Sequence, residues 1–133
     1  MALRWYTVVV DSRDVHAQAR WWAEAMGWHV VHESDDEVVI VPSWVTPEVL
    51  EGIPWEQRGP GMVFVPVPEG KQDKNRLHVD LAPHTSQDRE AEIRRLLALG
   101  ARRVDVGQGE DVSWTVLADP EGNEFCVLSS RDT

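Results

Sequence analysis

Ser113 to Leu128 read SWTVLADPEGNEFCVL, and the fold is decided by what this stretch closes. Trp114 to Ala118 alternates large and small residues and is rich in β-formers. Asp119-Pro120-Glu121-Gly122-Asn123 has the composition of a tight turn, and Phe125 and Val127 belong to a second strand. The stretch is therefore a β-hairpin, with Cys126 on one of its faces.

Working outward, the hairpin is the end of a pattern that occurs twice. Arg4 to Val10 (RWYTVVV) is a strand. A helical stripe of Val15, Ala19, Trp22 and Met26 follows, with Ser12 or Asp14 as N-cap and Gly27 as the stop. Strands are expected at Trp28–His32, Val38–Val41 and Met62–Val67, with a turn at Ser34-Asp35-Asp36. The second half repeats this order. Arg76 to Leu81 (RLHVDL) is a strand, and Thr85 with Asp88 has capping-box spacing. Ile93, Leu96 and Leu97 mark a helix that stops at Gly100, and strands near 102–106, 112–118 and 124–128 finish the chain. The expected architecture is α+β: duplicated βαβββ modules, about 3–67 and 76–130, forming one curved mixed sheet with an inner cleft and two outer helices. Residues 1–133 then make one domain.

Composition narrows the class. Hydrophobic residues at 42% and charged residues at 27% are ordinary for a globular protein. The apolar runs are far shorter than the roughly 20 residues a membrane helix needs, and the N-terminus shows no cleavable signal pattern. The lone cysteine excludes an internal disulfide and fits a reducing, cytoplasmic compartment. A net charge of −10 disfavours nucleic acid and anionic membranes and favours neutral or cationic small molecules, or simply keeps the surface solvated. Seven tryptophans exceed what a core of this size needs, which points to a pocket wall or a subunit interface.

A helix reading RWWAEAMGW, a strand reading NRLHVDLAP and the ending LADPEGNEFCVL, set in two βαβββ modules, resemble the vicinal oxygen chelate superfamily, and within it the glyoxalase-like domain proteins (glyoxalase/bleomycin resistance/dioxygenase type) of actinobacteria. The resemblance covers about residues 3–129. It implies a divalent metal held by His, Glu or Gln side chains from four inner strands. Carried over by position, these ligands fall on Thr7, Val65, His78 and Cys126. Only His78 is a usual ligand, since valine cannot coordinate and a threonine hydroxyl coordinates poorly. Cys126 would favour a soft metal. The corner is accordingly read as metal-free, without cofactor, with Glu124 as the one nearby carboxylate able to change that.

His78 and Asp80 share a strand face with Arg76, while Leu77, Val79 and Leu81 take the other face and should pack under the helices. His78 is the candidate base, with Asp80 fixing its tautomer; a structural histidine in an idle cleft is the plain alternative. Cys126 reads as an inert, half-buried thiol. Trp5, Thr7, Val9, Trp114 and Val116 are placed on the cleft wall. The proline-rich stretch Pro42 to Pro60 starts a short helix at Thr46-Pro47-Glu48 and carries Trp44 and Trp55, expected over the cleft mouth or a dimer seam. Two functions follow: a homodimeric small-molecule-binding protein that sequesters an aromatic or cationic natural product, or a lyase, isomerase or dioxygenase using His78. A vestigial cleft in a regulatory dimer is the third.

Overall fold

The computed structural model describes residues 3–109 and 111–133, and the chain divides into two compact units, 1–70 and 71–133. The first contains β1 (Thr7–Ser12), α1 (Val15–Met26), β2 (Trp28–Glu33), β3 (Val38–Pro42), α2 (Pro47–Glu51), a single 3₁₀ turn and β4 (Gly61–Pro66). The second contains β5 (Val79–Leu81), α3 (Arg89–Ala98), β6 (Arg102–Arg103), β7 (Thr115–Ala118) and β8 (Glu124–Val127). The α+β class and the repeated module order hold. Strand pairing gathers the strands as two four-stranded sheets, one per module, in the orders β1-β4-β3-β2 and β5-β8-β7-β6.

Both sheets are wired alike. The first strand runs parallel to the last, and the remaining neighbours are antiparallel. The registers match residue for residue: Val10 lies opposite Phe64 and Asp11 opposite Val65, as Val79 lies opposite Phe125 and Asp80 opposite Cys126. Even the hydrogen bond beyond the strands is repeated, from Val67 N–H to the Ser12 carbonyl at 3.0 Å and from Leu128 N–H to the Leu81 carbonyl at 2.8 Å. Phe64 and Phe125 are thus counterparts, and both are fully buried. Each such ring contributes roughly 1.5–3 kcal/mol by leaving water.

Helix α1 forms because Asp14 accepts the Ala17 N–H at 3.1 Å and Gly27 adopts the left-handed φ of 66° that ends the helix. Its buried face carries Val15, Ala19 and Trp22, and Trp21 meets Trp22 edge to face at 5.2 Å. In α3 the cap is Asp88 itself, which accepts from Ala91 N–H at 3.2 Å. This corrects the Thr85–Asp88 capping box: the helix begins one residue after Asp88, so Asp88 occupies the cap position. Thr46 caps α2 with Pro47 in its first turn, as expected. Among the described residues no helix is long and apolar enough to cross a membrane.

Several strands are shorter than their composition suggests. β1 starts at Thr7, leaving Trp5 exposed ahead of it, and β5 starts at Val79. Arg76 and Leu77 therefore lie on a bend, and Leu77 is 88% exposed, against the expectation that it packs under a helix. The alternation of RLHVDL continues in the sequence, but its ladder partner ends at Glu124, so nothing holds the earlier residues extended. β6 has only two residues before the chain turns away.

Candidate functional site

The turn that opened the sequence analysis is held by one carboxylate. Asp119 is fully buried, and its Oδ1 accepts the N–H groups of Glu121 and Asn123, each at 3.0 Å. Gly122 takes the positive φ, 91°, that the tight return needs. The return puts Cys126 directly across the ladder from Asp80. His78, just ahead of β5, closes the group through a 3.1 Å contact between its Nε2 and Asp80 Oδ1.

These three side chains border a hollow of about 400 Å³. Its apolar wall is Trp114, Val116, Val106 and Leu128, and its polar rim is Lys74, Asn75, Gln108 and Glu124. Trp114 precedes β7, and its neighbours are tied down by Arg89. That guanidinium donates to the Val127 and Leu128 carbonyls, each at 2.8 Å, and to Thr115 Oγ1 at 3.0 Å. Gly107, with φ of 92°, turns the loop that brings Gln108 to the rim, and Gln108 Oε1 accepts the Val106 N–H at 2.8 Å.

The electrostatics of the corner are set by who bonds whom. Burial pushes the Cys126 thiol above its ordinary value, and the Asp80 charge and a hydrogen bond to Asp80 push it further, against a smaller pull from Lys74. A raised thiol is held protonated and is a weaker nucleophile for it. Burial also works to raise the Glu124 carboxyl, but its own backbone N–H, the Lys71 ammonium and the Asn75 N–H outweigh it, so the group lies below its ordinary value. Lys71 Nζ lies 3.1 Å from Oε1, and Asn75 N–H donates to Oε2 at 3.1 Å.

Ligand atoms of His78, Asp80 and Cys126 all lie within 4.8 Å of one another, a spacing from which a metal could be held. Asp80, expected from sequence to orient His78, is the third donor. The metal centre implied by the resemblance nevertheless does not fit these residues. Thr7 Oγ1 donates to the Gly61 carbonyl at 3.2 Å, Val65 has no donor atom, and both Glu124 oxygens are engaged by Lys71 and Asn75. The hard, anionic set that a centre of that kind needs is missing.

By register Asp11 and Asp80 are counterparts, so the first-module position matching His78 is Val9, two residues before Asp11. Of the residues singled out from sequence, His78, Asp80, Trp114, Glu124 and Cys126 line the hollow together. Arg76 is not in its wall, and Trp5, Thr7, Val65, Trp44 and Trp55 belong to the first unit. Trp44 and Trp55 are exposed on the 42–60 connection, where the Arg4 guanidinium stacks over Trp55 at 5.2 Å and over Tyr6 at 4.8 Å. Lys74, Asn75, Gly107 and Gln108 went unnoticed in the sequence. The only signal was the glycine pair around Gln108, and Lys71-Gln72-Asp73-Lys74 has none.

The family model described as the glyoxalase-like domain matches residues 7–128. No curated protein matches the chain. Solved structures do. A glyoxalase/bleomycin resistance protein/dioxygenase family enzyme from Burkholderia phytofirmans PsJN superposes with a TM-score of 0.69 at 14% identity, over 96% of this chain and 98% of that one. The fosfomycin resistance protein FosX from Mesorhizobium loti gives 0.64 at 12% identity, over 96% and 92%. FosX from Listeria monocytogenes, complexed with Mn(II) and a dihydroxypropylphosphonic acid, gives 0.67 at 9% identity, over 98% and 91%. At such identities the likeness establishes the fold.

Proposed function

We propose, on the premise that this chain belongs to the glyoxalase-like domain family, that its two modules make one domain that binds a flat small molecule without a metal. The observation that carries this reading is the cluster in which His78 Nε2 lies 3.1 Å from Asp80 Oδ1 and Cys126 stands across the ladder from Asp80, with Trp114 lining the same hollow. Asp80 is the one carboxylate beside His78 and the thiol, and a half-exposed indole offers a stacking surface worth about 0.5–1.5 kcal/mol beyond its buried area. Sequestration of an aromatic or cationic natural product needs no more than this.

Titration of tryptophan fluorescence with flat aromatic compounds, in the parent protein and in Trp114→Phe, tests the reading. Quenching that weakens in the variant is expected. No quenching and no rise in Tm across a broad panel would overturn it. Zn²⁺, Mn²⁺, Ni²⁺ or Fe²⁺ should leave Tm unchanged, and stoichiometric binding lost in Cys126→Ser would refute the metal-free part.

The contact between His78 Nε2 and Asp80 Oδ1 supports a second reading, an isomerase- or lyase-like enzyme in which Asp80 orients His78 as base. It requires a turnover that His78→Ala abolishes.

The large apolar side chains of Leu77, Trp5, Trp44 and Trp55 lie open in the single chain and support a homodimer. The single reduced, buried Cys126 supports a cytoplasmic setting.

A further inference from the structure

We infer that Arg4, stacked against Tyr6 and Trp55 in the first unit, receives the carboxylate of a small aromatic acid, at a site that shares no residue with the hollow. The guanidinium carbon lies 4.8 Å from the centroid of the Tyr6 ring and 5.2 Å from that of Trp55. Both distances are within the range at which a cation is attracted to a ring face. They tie the residue ahead of β1 to the 42–60 connection. A side chain held in this way is ordered before any ligand arrives, and its planar fork loses little more on binding.

The charge on this fork is unanswered. Arg20, Arg89 and Arg95 each meet a carboxylate, at 3.1, 3.2 and 3.1 Å. Among the described residues Arg4 meets none and no acceptor bonds its guanidinium, although the chain carries 23 acidic residues. Its Nε is shut off from water without a partner, a cost that stacking on two rings offsets. Nε alone is both buried and unbonded, which leaves Nη1 and Nη2 as the edge a ligand can reach. Two N–H groups side by side on a planar cation match the two oxygens of a carboxylate. A single cation suits a monoanion. A phosphate dianion here would leave one charge unmatched, on a chain whose net charge is −10. The Tyr6 and Trp55 rings are 67% and 51% exposed, so their open surface can take the flat body of the same ligand.

Nitrogen–proton correlation NMR reads the site directly, through the Arg4 Nε–H peak, assigned by its loss in Arg4→Lys, and the Trp55 indole N–H peak, assigned by its loss in Trp55→Phe. The probes are benzoate, benzamide and phenyl phosphate. Benzoate should move both peaks saturably. Benzamide, of the same shape without the charge, should bind about tenfold more weakly, and phenyl phosphate no tighter than benzoate. In Arg4→Lys, followed at the indole, the charge remains but the fork is gone, and benzoate should again bind about tenfold more weakly. Trp114→Phe should leave the benzoate affinity unchanged. Equal binding of benzoate and benzamide, tighter binding of phenyl phosphate, or no saturable shift with benzoate overturns the assignment. Peaks that follow protein concentration and not benzoate put a carboxylate of a second copy there and overturn it too. None of these outcomes touches the binding function of the hollow, which Trp114→Phe tests by itself.

Discussion

The two modules share a wiring diagram and differ in what they present on one face of it. Along the parallel pair of the second module, His78, Asp80, Glu124 and Cys126 occupy the positions that the first module fills with Val9, Asp11, Val63 and Val65. On the opposite face the two agree, with Phe64 and Phe125 at matching points of their cores. The core face keeps the topology, and the other face is free to vary. The connections differ too. β7 and β8 are joined by the five-residue Asp119 turn, while the equivalent β3–β4 link is the long 42–60 stretch with α2, in which no helical residue is buried.

If the scaffold really is duplicated, equal damage to the two cores should cost equal stability. Phe64→Ala and Phe125→Ala are each expected to lose about 3–5 kcal/mol in urea unfolding, within about 1 kcal/mol of one another. Values differing severalfold would break the equivalence of the modules. Asp119→Ala comes next, at about 2–4 kcal/mol, because it strands two part-buried amides. Truncating Thr46 on the 42–60 link, where one cap bond is lost, should cost about 1 kcal/mol. A larger loss at Thr46 than at Asp119 would reverse the contrast between the connections.

Smaller effects sharpen the contrast on the ligand face. The Glu124 carboxyl is held below its ordinary 4.5. Its contribution to stability is therefore complete above about pH 5 and disappears as pH falls through the lowered folded value. Glu124→Gln should flatten that acid limb of a Tm–pH profile, whereas a change confined to neutral pH would contradict the clip to Lys71 and Asn75. Least of all, Asp80→Asn removes the charge that adds to burial in raising the Cys126 thiol. Alkylation by iodoacetamide at pH 8 should then run roughly threefold faster. An unchanged rate would mean that thiol and carboxylate do not communicate.

Much of the fold could be read from the chain, since periodicity and punctuation are local properties. Gly27, Asp14, Thr46-Pro47 and the Asp119 turn each act within a few residues of themselves, and each is found where its chemistry suggests. The repeated strand–helix–strand order, likewise, follows from local patterns. The site was half legible. His78, Asp80 and Cys126 stand out by type and alternation. The engagement of Glu124 by Lys71, the grip of Arg89 on Val127 and Leu128, and the loop bearing Gln108 depend on pairings between distant segments that no short pattern encodes. The residue match between the modules was hidden for the same reason. A slip of two residues preserves alternation, so only the ladder with β4 identifies Val9 as the counterpart of His78.

Pairing the first strand of each module with its last has a temporal side. On a ribosome, β1 emerges early and must wait until Gly61–Pro66 has cleared the exit tunnel before it can be zipped in. β5 waits in the same way for Glu124–Val127. Such long loop closures are slow steps in folding, so synthesis should proceed in two pulses of assembly, each triggered by the final strand of a module. A stalled nascent chain that ends just before either strand would be the one most exposed to chaperones and proteases.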